Sequence, residues 1–282
     1  MGRGIIVPMP LPVHDVYAIK YADHRRNASV NFLGGDPHDG PMPMDYFIWL
    51  IRGPSGTFVV DTGFNREAAD ARKRNFLRSP AEGLALLGVQ ASEVSDVIVT
   101  HMHYDHAGNC DLFPAATFHM QDREMQYATG RYMAHRCMHD AYSVFDVLRM
   151  VRNVYDGRVR FHDGDAELAP GLSLHLIGGH TMGLQVVRVH TRRGWVVLAS
   201  DASHYYRNME EERPFPIIFN VGDMVEGWSK LQRLAGSPDH VIPGHDPEVL
   251  RRYPAPGAEL EGIAAALHER VTSPLPPSAP SR

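Results

Sequence analysis

The chain has 282 residues, 28 Lys+Arg against 33 Asp+Glu, and a formal charge of −5. That length supports a sizeable core, and the mildly acidic balance supplies no overall field for nucleic acid. No apolar run reaches the length of a membrane span, and two cysteines, Cys110 and Cys137, cannot build a disulfide framework. The opening stretch, broken by prolines at Pro8, Pro10 and Pro12, does not read as a signal peptide, so a reducing cytoplasmic compartment is expected. Histidine is the unusual count, at 17 residues. It is the commonest metal ligand and titrates nearest neutrality, which raises metal or acid–base chemistry.

In chain order, β-rich runs are predicted at Val16–Ile19, Tyr46–Arg52 and Thr57–Val60. Gly53-Pro54-Ser55-Gly56 makes a hairpin of the last two. Tyr21–Met44, with Gly34-Gly35 and several prolines, predicts a long loop. Helices are predicted at Arg66–Asn75 and Pro80–Leu87, the second stopped by Gly88. Val97-Ile98-Val99 is a short buried strand. Helices at Asp122–Ala128 and Asp140–Arg152 precede strands at Val159–Phe161, Leu172–Ile177, Leu184–His190 and Trp195–Leu198. A helix at Met224–Leu234, a strand at His240–Ile242 and a final helix around Ala258–Arg270 complete the prediction. The element order suggests two similar halves, each a sheet with helices, with no linker between them. Residues 1–271 therefore read as one domain, followed by a Pro/Ser-rich tail at 272–282 expected to be disordered.

The chemistry concentrates in Thr100-His101-Met102-His103-Tyr104-Asp105-His106. Alternate residues of an extended chain point the same way, so His101 and His103 can reach one ion. A turn into helix would redirect Asp105 and His106 to a second point nearby. Two ions need more donors, and three further candidates also follow apolar strands. They are His180 in Gly179-His180-Thr181, Asp201 in Ser200-Asp201, and His245 in Pro243-Gly244-His245. Strands that end at one edge of a sandwich bring such side chains together. Imidazole and carboxylate suit a hydrolytic divalent centre, with zinc as the first expectation and Fe, Co or Mn also compatible.

These motifs resemble the metallo-β-lactamase superfamily, whose signature is H-x-H-x-D-H with a later His, Asp and His. Within it the chain is most similar to the N-acyl-homoserine lactone lactonases, through Val60-Asp61-Thr62-Gly63, Gly179-His180-Thr181, Ser200-Asp201-Ala202-Ser203 and Pro243-Gly244-His245-Asp246. The resemblance implies an α/β fold, an αββα sandwich of two mixed sheets flanked by helices, with the metal site at one edge. It also implies that His101, His103 and His180 hold one ion, that Asp105, His106 and His245 hold the other, and that Asp201 bridges them. Asp61 would orient a ligand histidine by accepting its other ring proton. The lactonases carry a tyrosine, contacting the lactone carbonyl, where this chain has His204. Either His204 or, by a one-residue slip, Tyr205 is the expected replacement.

The implied reaction is attack on a lactone carbonyl by a hydroxide shared between the two ions, with Asp105 as proton shuttle. A thioester hydrolase of the glyoxalase II type is the alternative. The expected partner is a small lactone with an apolar acyl chain, without nucleic acid or membrane, and with a homodimer left open. Met133, Met138, Tyr142, Phe145 and Phe215 are candidate apolar walls. Arg131, His135 and Arg136 are the alternative, for an anionic substrate.

Overall fold

The structure, a computed structural model, describes residues 10–272. The N-terminal segment and most of the tail discussed above lie outside the described residues. Seven strands of the first sheet run in the chain as β1 (Asp15–His24), β2 (Met44–Gly53), β3 (Gly56–Val60), β4 (Asn75–Phe76), β5 (Asp96–Ile98), β6 (Thr117–Gln121) and β7 (Val159–His162). The second sheet holds β8 (Ala166–Ala169), β9 (Leu172–Leu176), β10 (Gln185–Thr191), β11 (Gly194–Ser200) and β12 (Val241–Pro243); β13 (Ala264–Ala266) returns to the first. The first sheet has the order β13-β1-β2-β3-β5-β6-β7, with β4 also on β1, and the second β12-β11-β10-β9-β8. Both mix parallel and antiparallel pairs.

The layers follow from alternation along the strands. Val16, Ala18, Phe47, Trp49 and Ile51 face inward and pack on Leu172, Leu174, Val187, Val189 and Leu198 of the other sheet. Their neighbours Tyr17, Ile19, Ile48 and Leu50 face outward, toward a core shared with helices. These helices are α1 (Arg66–Arg72), α2 (Pro80–Leu86), α3 (Tyr104–Ala107), α4 (Asp122–Ala128), α5 (Arg136–His139) and α6 (Val144–Tyr155). Helix α2 starts as its sequence dictates: Pro80 at the first turn, and a capping box in which Ser79 and Glu82 satisfy each other's backbone N–H groups. Two short helices, α7 (Tyr206–Glu210) and α9 (Glu248–Arg252), flank α8 (Val221–Leu234). Met224, Trp228 and Leu231 of α8 cover Val186, Val197 and Ala199 on the outer face of the second sheet. The result is the αββα sandwich. No helix among the described residues is long and apolar enough to cross a membrane.

Several predicted elements change. The final helix is instead a 3-10 turn at Ala258–Leu260 and then β13, with Ala264, Ala265 and Ala266 paired to Ile19, Ala18 and Tyr17. Alanine favours helix in isolation, but here it fits a buried sheet edge, and tertiary pairing outweighs a propensity of under about 1 kcal/mol per residue. The predicted loop from Tyr21 is partly strand, since β1 runs on to His24. The helix predicted to Asn75 ends at Arg72, because Lys73 turns left-handed (φ 56°) and Asn75 joins β4.

Candidate metal centre

Every expected ligand leaves the sheets at one edge, and the topology explains why. Strands β3 and β5 are parallel, as are β11 and β12. Strand β9 is antiparallel to β10, which is antiparallel to β11, so β9 runs with β11. Hence Asp61 after β3, His101 after β5, His180 beyond β9, Asp201 after β11 and His245 beyond β12 all emerge together. Asp105 and His106 lie in the single turn of α3, which His103 precedes at the N-cap position.

Three overlapping donor groups form there, one of them Asp201, His204 and His245. His101 Nε2 and His180 Nε2 lie 3.0 and 2.9 Å from His103 Nδ1. Asp105, His106 and His245 make the second group. Asp201 stands between them. Its Oδ2 is 3.2 Å from His180 Nε2 and 3.7 Å from His101 Nε2, while its Oδ1 is 3.3 Å from His106 Nε2 and 3.0 Å from His245 Nε2. Gly244 permits this approach: a Cβ there would lie 2.8 Å from Asp201 Oδ1.

The donor chemistry fits divalent cations. His103 Nδ1 lies about 3 Å from both His101 Nε2 and His180 Nε2, a set of imidazole nitrogens suited to ligate one divalent cation. His106 Nε2 and Asp201 Oδ1 are buried without any hydrogen-bond partner, which native interiors rarely tolerate. Burial, reinforced by the neighbouring histidines, holds His101 and His103 well below the usual imidazole range, in the neutral form that ligates.

On His106, His180 and His245 the other ring nitrogen is occupied, which fixes orientation. His106 Nδ1 meets Asp61 Oδ2 at 2.7 Å, His180 Nδ1 donates to the Ile217 carbonyl at 2.7 Å, and His245 Nδ1 donates to the Asp45 carbonyl at 2.9 Å. Asp61 also accepts from Thr100 N (2.7 Å) and Thr100 Oγ1 (2.8 Å). Thr100 Oγ1 lies 2.9 Å from Ser200 Oγ, tying the two sheets together beneath the site. Asp61 (φ 62°) and Ser200 (φ 45°) are both left-handed, a conformation costing about 1–3 kcal/mol each where the residue is not glycine. Strain of this kind collects at functional sites.

One organiser is absent from the sequence reading. Glu124, fully buried in α4, accepts from Met102 N (2.9 Å), Tyr142 hydroxyl (2.9 Å), Thr181 hydroxyl (2.6 Å) and Gly183 N (3.2 Å). It thereby ties the His101–His103 segment to the His180 loop. Tyr142 lays its ring edge-on to His103 at 4.6 Å. A lone glutamate on a helix carries no signal of this.

His204 and Tyr205 go different ways. His204 Nε2 lies 3.1 Å from Asp201 Oδ2, and its ring stacks on Phe215 at 3.7 Å. Burial, only partly opposed by Asp201, pushes His204 down to about 3, so it is neutral. Tyr205 turns its hydroxyl to the Pro43 carbonyl at 3.3 Å and does not line the cavity over the site.

That cavity holds about 520 Å³. A larger depression of about 1020 Å³, by Arg192 and His268, contains none of the donor groups. Of the five candidate apolar walls only Phe215 lines the cavity; Tyr142 is packed behind His103, and Phe145 is 79% exposed on the outer face of α6. Of the basic alternative, Arg136 lines it and Arg131 and His135 do not. Two tyrosines do line it. Arg74 Nε donates to Tyr104 hydroxyl (3.0 Å), and Tyr104 donates to Tyr46 hydroxyl (3.4 Å), which leaves the Tyr46 proton directed at neither. Burial raises both phenols, so both keep their protons.

A two-sheet sandwich with histidines and aspartates converging at one sheet edge is an α/β fold with a candidate metal centre. The comparisons give the family: residues 43–252 match the metallo-beta-lactamase superfamily, and the chain belongs to it. An N-acyl homoserine lactonase from Bacillus cereus is 27% identical over 183 residues, 59% of this chain and 67% of that protein. The N-acyl homoserine lactonase AttM of Azorhizobium caulinodans is 26% identical over 254 residues, 82% of this chain and 92% of that protein. A solved quorum-quenching N-acyl homoserine lactone lactonase shares the fold, with a TM-score of 0.69 and 24% identity over 85% of this chain and 95% of that one.

Proposed function

We propose that the protein is a dinuclear metal-dependent hydrolase that opens lactone rings. The observation that carries this is the pair of donor groups sharing Asp201 beside a cavity large enough for a small cyclic ester. The names of the relatives support the lactone, and make an N-acyl-homoserine lactone the first substrate to try. His101, His103 and His180 would hold one ion and Asp105, His106 and His245 the other, with one Asp201 oxygen toward each. Zinc is the first ion to test. When bound, two divalent cations supply a nucleophile from water at neutral pH and polarise the carbonyl.

The remaining work falls to the chain. Asp105 is the most exposed of the seven donors, at 9%, and fronts the cavity, so it is suited to carry a proton from the attacking water to the leaving alkoxide. An ester leaving group needs only that one proton. His204, neutral and aimed at Asp201, orients the shared carboxylate. Tyr46, held by the Arg74–Tyr104 relay and edge-on to His245 at 5.2 Å, offers a phenolic proton to the developing oxyanion. Tyr205, bonded at Pro43, is the weaker candidate for that role.

The test combines metal analysis with a proton-release assay over lactones, thioesters and β-lactams. About two ions per chain and lactone opening in excess of the other two classes are expected. Turnover of a thioester alone by fully loaded protein would replace this reading with thioester hydrolysis.

A further inference from the structure

The cavity over the site is basic. Arg26, Arg72, Arg74 and Arg136 line it. Arginines elsewhere, such as Arg149, Arg192 and Arg252, pair with carboxylates. Among the described residues, no carboxylate oxygen comes within 4.0 Å of the four in the cavity. Asp140 is the one lining carboxylate besides Asp105 and Asp201, and those two face the histidine nitrogens. Four guanidiniums thus face three carboxylates in the lining, and none of the four is directly ion-paired.

They are also held in position. Arg74 Nη1 donates to the Arg72 carbonyl at 2.8 Å, and the Arg72 guanidinium lies 3.9 Å over the Tyr104 ring. Arg26 sits 5.2 Å over Phe215, the ring that stacks on His204, and donates Nε to Asn31. His24 accepts no charge between them: burial, with Arg74 and Arg26 adding to it, pushes it down to about 4. Anchored this way, the Arg26 and Arg74 forks lose little further freedom on meeting a ligand, and each retains N–H groups without a protein acceptor. A planar fork of donors matches a carboxylate or phosphate better than an amide or an alkyl chain.

We propose that this rim selects a lactone bearing a negatively charged group beside the reacting ester, in preference to a neutral lactone with an aliphatic tail. The inference rests on the lactone-opening reading and names its substrate class. The test uses metal-loaded full-length protein and two probes, a γ-butyrolactone carrying a ring carboxylate and the matching carboxamide. The acid is expected to show kcat/KM higher by about tenfold or more, one well-formed charge-assisted contact. The ratio should fall toward unity in about 1 M salt, where charges are screened beyond about 3 Å. It should also fall in R26Q and R136Q and recover only in part in R26K and R136K, which restore the charge but not the fork. Equal turnover of acid and amide, or a ratio unchanged in the R26Q/R136Q double variant, overturns the proposal. If neither lactone is opened, the lactonase reading fails, and calorimetry with the ring-opened acids still decides the rim. The diacid must bind about tenfold more tightly than its monoamide in wild type but not in the double variant; equal binding overturns it.

Discussion

Among the described residues two buried histidine clusters differ in kind, and the sheet-edge one gathers the donor groups. At the sheet edge, six imidazoles and two carboxylates converge, and His106 Nε2 and Asp201 Oδ1 have no hydrogen-bond partner. Around β6 and β7, His119 and His162 are stacked 5.5 Å apart and are also buried, though less deeply, and both nitrogens of His119 are used. Its Nδ1 lies 3.2 Å from His162 Nε2 and its Nε2 lies 3.0 Å from Asp96 Oδ1. Burial alone therefore does not mark a ligand. What marks the sheet-edge cluster is the convergence of imidazole nitrogens and carboxylate oxygens within 4.8 Å of one another.

The largest expected effect breaks the sheet-edge cluster at its shared member. In Asp201→Asn one oxygen becomes an amide nitrogen that cannot ligate, so one of the donor groups loses its bridge. Metal content should drop from about two ions to about one or fewer, and hydrolysis by well over the about 100-fold that loss of an outer hydrogen-bond partner costs. Elemental analysis and turnover on one sample read both. Full activity with two ions would remove Asp201 from the centre.

The sheet-edge cluster is legible in sequence because the H-x-H-x-D-H segment and three of the later ligands follow short apolar strands, and strand ends have a common exit. His101, Asp201 and His245 satisfy that rule through Val97-Ile98-Val99, Val197-Leu198-Ala199 and Val241-Ile242. What surrounds the ligands obeys no such local rule. Glu124 comes from a helix, Tyr46 from mid-strand, and Arg26, Arg72 and Arg74 from the chain on either side of β1 and β4. Their convergence depends on strand order, which composition and spacing do not encode. Tyr205 fits the one-residue-slip argument, yet the turn after Asp201 sends its ring toward Pro43.

A smaller effect tests whether the cluster is held from behind. Glu124→Gln keeps one acceptor oxygen but sets an amide N–H₂ against the N–H groups of Met102 or Gly183. Hydrogen bonds to a buried carboxylate contribute about 1.5–3 kcal/mol. We expect a loss of about 2 kcal/mol, a melting temperature lower by several degrees, and metal affinity reduced because both His-bearing loops loosen. An unchanged melting curve with unchanged affinity would leave Glu124 without an organising role.

The smallest effect belongs to the other cluster and has a defined pH window. Burial, with the charges of His119 and Arg160 adding to it, pushes His162 down to about 4, and burial also lowers His119 against the pull of Asp96. A histidine lowered in the fold is protonated first in the unfolded chain. Stability from these groups is therefore present above the ordinary value of 6.5 and lost as pH falls from there toward about 4. The ligand histidines titrate as well, so the difference between wild type and His162→Gln isolates this pair. The variant should show a shallower fall of melting temperature across that window, with metal content and hydrolysis at neutral pH unchanged. An identical slope would mean that His162 takes up no proton on unfolding. A loss of metal would mean that the two clusters are coupled, against the separate hydrogen bonding that distinguishes them.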